Sequence, residues 1–221
     1  MNRRQLLIAA PAALIGAAGL WYAKQPGSSG PNLAAAMAQD ATAVDTSGVA
    51  EISMGNPDAK VTVIEYASYT CPHCRNFHQT VFSELKSNYI DTGKINFIYR
   101  EVYFDRFGLW AAMVARCGGE MRYFGIADMI YETQEEWVAG GDPAQIAQNL
   151  RKIGKKAGLS DAELDACMND GEQAKALVAA YQKNAEADNI ESTPTFVING
   201  KKYSNMNYAD FAATLDEKLA E

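Results

Sequence analysis

The feature that most restricts this chain is a pair of cysteines two residues apart, Cys71-Pro72-His73-Cys74, set where an apolar run gives way to a helical pattern. Lys60 to Tyr66 is rich in β-formers and nearly continuously apolar, which suits a central strand covered on both faces. That strand leads directly into the cysteines. Pro72 fits the first turn of a helix, Phe77, Val81, Leu85 and Tyr89 recur at four-residue steps, and Asp91-Thr92-Gly93 ends the pattern. Ile95 to Tyr99 reads as a second strand. A strand, helix, strand unit with both cysteines at the helix start brings two sulfurs within bonding reach, an arrangement suited to redox chemistry.

The helix start also decides which sulfur reacts. Its partial positive charge and unpaired amide donors stabilise a thiolate on Cys71 and lower its pKa. The imidazole of His73, between the two cysteines, is expected to donate a further hydrogen bond or charge. A stabilised thiolate favours the reduced pair, so the disulfide becomes a good oxidant and Cys71 a good leaving group. Substrate oxidation is therefore the expected direction.

From about Phe107 to Asp188 the pattern is helical, and start signals divide it into four or so helices. Asp142 before Pro143 is an N-cap followed by a favoured first-turn proline, and Ser160-x-x-Glu163 is a capping box. Thr195 to Ile198 then returns to a strand pattern. Asn199-Gly200 marks a tight turn into Lys201 to Tyr203, and Tyr208, Phe211, Leu215 and Leu219 mark a last helix.

Taken together, Val61 to Tyr66 followed by Cys71-Pro72-His73-Cys74, a helical insertion, and Ser192-Thr193-Pro194-Thr195-Phe196 entering a strand resemble the DsbA family of exported disulfide oxidoreductases. The resemblance covers roughly residues 49 to 221. It implies an α/β, thioredoxin-like fold with an inserted α-helical domain at about 105–188. It also implies an unusually acidic Cys71 thiol and an oxidising pair. By the same resemblance Thr193-Pro194 is a cis peptide facing the cysteines, with the backbone of Thr193 free to pair with an extended substrate and Pro194 shielding the sulfurs. A trans proline opening an edge strand is the plainer alternative.

Glu65 is an acid inside the apolar strand, six residues before Cys71, and the family pattern has a buried acid at the matching position. There it would take the proton of Cys74 when that thiol attacks; exposure at a strand edge is the alternative. Cys117 and Cys167 lie on helices of the insertion without Cys-x-x-Cys spacing. They form either a second disulfide, as in some DsbA-like proteins, or two small buried thiols. Cys71, His73, Cys74 and His78 invite a metal reading, but they lack a closed tetrahedral set, and Pro194 would crowd the open position. No metal or other cofactor is expected. His78 is expected to point from the first helix into polar surface.

Residues 1–26 read as a signal peptide or N-terminal membrane anchor: Arg3-Arg4, resembling a twin-arginine signal, precede an apolar, Ala-rich run. Residues 27–48 read as a flexible linker, and 49–221 as the folded domain. The chain carries a formal charge of −7, with Arg3, Arg4 and Lys24 but no acid in its first 30 residues, which argues against a nucleic-acid partner. The expected location is periplasmic or extracytoplasmic, and a monomer is expected. Reduced exported proteins are the expected substrates, with a membrane quinone-linked, DsbB-like oxidase restoring the disulfide. An isomerase or reductase on the same fold, or a metal- or peptide-binding module, are the alternatives.

Overall fold

The computed structural model describes residues 44–221. The signal or anchor segment and most of the linker therefore lie outside the described residues. A five-stranded sheet of order β1-β3-β2-β4-β5 organises the chain. Its strands are β1 (Ile52–Gly55), β2 (Val61–Ala67), β3 (Ile95–Glu101), β4 (Thr195–Ile198) and β5 (Lys201–Ser204). β2 is central, parallel to β3 and antiparallel to β4. Val61, Val63, Glu65, Tyr66 and Ala67 on it are all fully enclosed, as expected of a strand covered on both faces.

The parallel β2 and β3 need a crossover, which α1 (residues 72–90) supplies. This helix is not uniformly α: Pro72–Phe77 and Ser83–Leu85 are α-helical, while His78–Phe82 and Lys86–Ile90 are π-helical. The underwinding explains the four-residue apolar steps. A period of 4.0 drifts round an α-helix of 3.6 residues per turn but holds one face when wider π turns are mixed in. Phe77, Val81, Leu85 and Tyr89 are accordingly all buried. Phe77 packs at ring-centroid distances of 4.7 Å from Phe196 on β4 and 6.0 Å from Phe211 on the C-terminal helix, tying the helix to the sheet.

The insertion holds six helices where the sequence suggested about four. They are α2 (Arg106–Cys117), α3 (Gly119–Glu132), α4 (Gln134–Trp137), α5 (Pro143–Lys156), α6 (Asp161–Met168) and α7 (Gly171–Ala187); α8 (Tyr208–Ala220) closes the fold. The surplus arises because α2, α3 and α4 follow one another almost without a break: Gly119 at φ +65° turns the chain between the first two, a conformation that glycine adopts freely. The capping signals hold their places. Asp142 caps α5, and Ser160 with Glu163 forms the reciprocal box at α6. β1 is an edge strand the sequence did not reveal, paired antiparallel to β3 from Ile52 opposite Tyr99 to Gly55 opposite Asn96. Cys117 and Cys167 are joined by a disulfide with Cα atoms 5.9 Å apart, linking the ends of α2 and α6.

Candidate active site

Cys71 is the N-cap of α1, in extended backbone at φ −82° and ψ 119°. Its sulfur accepts the backbone N–H of Cys74 at 3.4 Å. The two cysteines are in the dithiol form and differ in access: Cys71 keeps 9 % of its surface exposed, whereas Cys74 keeps none. Thr193-Pro194 is a cis peptide, and it brings the Thr193 carbonyl 3.5 Å from Cys71 Sγ, where it accepts the thiol proton. The Thr193 hydroxyl is buried beside the sulfurs without an aligned partner.

These contacts separate the two thiols electrostatically. Cys71 is pushed down to about 5 from the ordinary thiol range, first by the hydrogen bond from the Cys74 thiol, against the desolvation of its sulfur, and then by the Thr193 side chain and the backbone N–H groups of Cys74 and His73. Cys74 is pushed strongly up, chiefly by burial, with the charges of Cys71 and Glu65 adding to it. One sulfur is thus ready as thiolate and the other is held as thiol. His73 contributes through its backbone; its side chain is exposed at the surface of the helix start.

Glu65 is fully enclosed on β2, opposite Tyr99 on β3 and Phe196 on β4. Its neighbour is unexpected. His78 does not point into polar surface: its side chain is 4 % exposed, and Nε2 lies 3.3 Å from Glu65 Oε2. The expectation failed because His78 follows buried Cys74 by four residues and precedes buried Val81 and Phe82 by three and four, which puts it on the inward face of α1, against the stacked ring of Tyr131 at 4.2 Å and that of Phe82 at 4.6 Å.

The insertion also grips the site through residues that no motif announced. Gln134, buried on α4, donates from Nε2 to the carbonyls of Tyr69 at 2.8 Å and Cys71 at 3.1 Å, fixing the loop that presents Cys71. Thr70 donates to Asp105, the N-cap of α2, at 2.7 Å, and Arg75 pairs with Glu135 at 2.5 Å. Deeper in, Arg116 clamps Glu101 through Nε at 2.8 Å and Nη2 at 2.6 Å. Tyr123 donates to the same carboxylate at 2.7 Å and receives the hydroxyl of Tyr69 at 2.9 Å. A buried carboxylate so fully paired is a rigid anchor between sheet and insertion. Gln134 and Arg116 gave no sequence signal, since their partners lie far away along the chain.

Among the described residues no cluster of three or more His, Cys, Asp or Glu is placed to hold a metal ion, and no helix is long and apolar enough to cross a membrane.

The family model described as Thioredoxin matches residues 47–217. A Rickettsia bellii protein named as a protein-disulfide oxidoreductase is 33 % identical over 172 residues, covering 77 % of this chain and 65 % of the relative. The chain spans 61 % of the corresponding Rickettsia felis protein, so it accounts for less than two thirds of these relatives' length. Disulfide bond formation protein D of Bacillus subtilis is 24 % identical over 180 residues, 75 % of this chain and 76 % of that protein. Among solved structures, alpha-DsbA1 of Wolbachia pipientis matches with a TM-score of 0.71 at 26 % identity, covering 81 % of this chain and 94 % of that one. A protein-disulfide isomerase from Novosphingobium aromaticivorans matches with a TM-score of 0.70 at 25 % identity, covering 77 % and 98 %.

Proposed function

The chain belongs to the thioredoxin family, and on that premise we propose that it is an exported protein thiol-disulfide oxidoreductase that donates its Cys71-Cys74 disulfide to reduced cysteines of other exported proteins. A substrate thiolate attacks Cys71 Sγ, the Cys71-Cys74 bond breaks, and Cys74 leaves and takes up a proton. A second substrate thiolate then attacks the substrate sulfur of the mixed disulfide, expelling Cys71 as thiolate. The substrate has lost two electrons and the Cys71-Cys74 pair has gained them.

The observation that carries this reading is the split between the sulfurs: Cys71 pushed down to about 5 and partly exposed, Cys74 enclosed and held as thiol. A leaving group that is comfortable as an anion makes the disulfide unstable relative to the dithiol, and so makes it an oxidant. Thr193 and Pro194 take the substrate-binding role, their backbone lying against Cys71 where an extended peptide would pass. Glu65 takes the proton of Cys74, and His73 acts as a donor at the helix start. Reoxidation falls to a membrane quinone-linked oxidase of the DsbB kind, in a periplasmic or other extracytoplasmic compartment. Tethering by the N-terminal apolar segment is a further part of the proposal.

The similarity to the Novosphingobium isomerase supports a second reading, in which reduced Cys71 attacks wrongly paired disulfides. Recovery of a scrambled-disulfide substrate by the reduced protein separates the two, and equilibration with glutathione tests the oxidising direction. An oxidase has a Cys71-Cys74 potential toward about −120 mV, whereas a value near about −270 mV would make the protein a reductase and overturn the proposal. Mixing the oxidised protein with a reduced, unfolded substrate should form one substrate disulfide per Cys71-Cys74 pair reduced.

A further inference from the structure

Cys74 must give up a proton each time it attacks the Cys71 mixed disulfide during reoxidation, yet it has no exposed surface, and Glu65 beside it has none either. A proton taken by Glu65 needs an exit. Both Glu65 oxygens and both His78 nitrogens lack an aligned hydrogen-bond partner, an expensive way to bury two polar side chains for stability alone. The ring of His78 is clamped between Phe82 and Tyr131, edge-on to Phe77 and Tyr99, so Nε2 stays directed at Glu65. His78 also lines a cleft of ≈ 370 Å³ between α1 and α3, together with Lys86, Asp128 and Glu132, with both of its ring nitrogens themselves buried.

From this juxtaposition we propose that His78 carries the Cys74 proton between buried Glu65 and the solvent of the Lys86, Asp128 and Glu132 cleft. The inference rests on the oxidoreductase reading above and adds to it a positioning residue that acts through Glu65. During reoxidation the thiol proton of Cys74 moves to the Glu65 carboxylate. From there it passes to His78 Nε2, while Nδ1, buried in the resting structure, releases a proton to a water entering from the cleft. Cys74 Sγ bonds to Cys71 Sγ, and the partner's sulfur leaves as thiolate with the electron pair. When substrate next opens the disulfide, Cys74 leaves as thiolate and the transfers reverse: Nε2 to Glu65, Glu65 to Cys74, and cleft to Nδ1. One proton goes out and one comes in per cycle, so the imidazole returns to its starting tautomer without turning in its clamp.

The charged and titratable groups that face His78 are Glu65 on β2, Tyr99 on β3, Tyr131, Asp128 and Glu132 on α3, and Lys86 on α1. Asp128 feels the histidine directly: desolvation raises its carboxyl, and the charge of His78 pulls it the other way.

The test uses the full chain, reduced and reoxidised with oxidised glutathione, with closure of the Cys71-glutathione mixed disulfide followed by quenched mass analysis across pH. His78→Gln should slow closure on the order of tenfold to a hundredfold, leave the midpoint of Cys71 alkylation in place, and regain rate when free imidazole is added. Closure at the original rate, or a loss that imidazole does not relieve in a folded protein, would overturn the relay. Should His78→Gln not fold, Lys86→Met and Asp128→Asn at the exposed mouth replace it. The first should raise and the second lower the pH midpoint of closure, and unmoved midpoints reject the proposal. A wild-type chain that never forms the mixed disulfide would instead reject the parent reading.

Discussion

Taking the reduced protein from pH 7 to pH 5 should cost it stability that a Cys71→Ser variant does not lose. The folded Cys71 thiol is pushed down to about 5, whereas an unfolded cysteine titrates at about 8.5. A group depressed in the native state stabilises it fully above the unfolded pKa and loses that contribution as the pH falls through the folded value. At pH 7 the thiolate is already present in the native state and largely absent from the unfolded one; at pH 5 little of the advantage is left. The difference across this window is about 2 kcal/mol. Cys74 does not contribute here, because a raised thiol stays protonated in both states until well above neutral pH. Urea denaturation of the reduced wild type and of Cys71→Ser at both pH values gives the double difference and cancels the carboxylates common to both. Equal losses in the two proteins would refute the thiolate argument.

Three further outcomes are expected. Cys74→Ala removes the donor that contributes most to holding Cys71 down, while the N–H groups of Cys74 and His73 remain. The Cys71 alkylation midpoint should therefore rise by about one to two pH units yet stay below that of a free cysteine, and Cys74→Ser should lie between. Glu65→Gln should slow closure of the Cys71 mixed disulfide on the order of a hundredfold and flatten its pH dependence; unchanged kinetics across pH would remove Glu65 from proton transfer. Replacing both Cys117 and Cys167 by alanine opens a bridge between positions 50 apart, which chain entropy values at about 4 kcal/mol; thermal denaturation should show the loss, with the alkylation midpoint of Cys71 unmoved.

Where local chemistry decided the structure, the sequence was readable. The β2 run, the Cys71-Pro72 helix start, the Asp142 and Ser160 caps and the Asn199-Gly200 turn all announce themselves within a few residues, and each sits where those rules put it. The cis peptide came through the family resemblance, and the Cys117-Cys167 bridge was one of the two readings open for that pair. What escaped depends on distant partners. β1 is four residues long and exists because β3 offers an edge to pair with. Gln134 reads as an ordinary helix polar residue until α4 lies over the Cys71 loop. His78 reads as a polar surface residue until its spacing from Cys74, Val81 and Phe82 is set against their burial. The four-residue spacing of Phe77, Val81, Leu85 and Tyr89 already contained the underwinding of α1.

The central claim is that the first sulfur of the pair exists as an anion at neutral pH because its surroundings favour charge there. Following the alkylation rate of reduced Cys71 against pH measures this directly. The account predicts a half-maximal rate near pH 5. A midpoint at about 8.5, where an unperturbed thiol titrates, would contradict it.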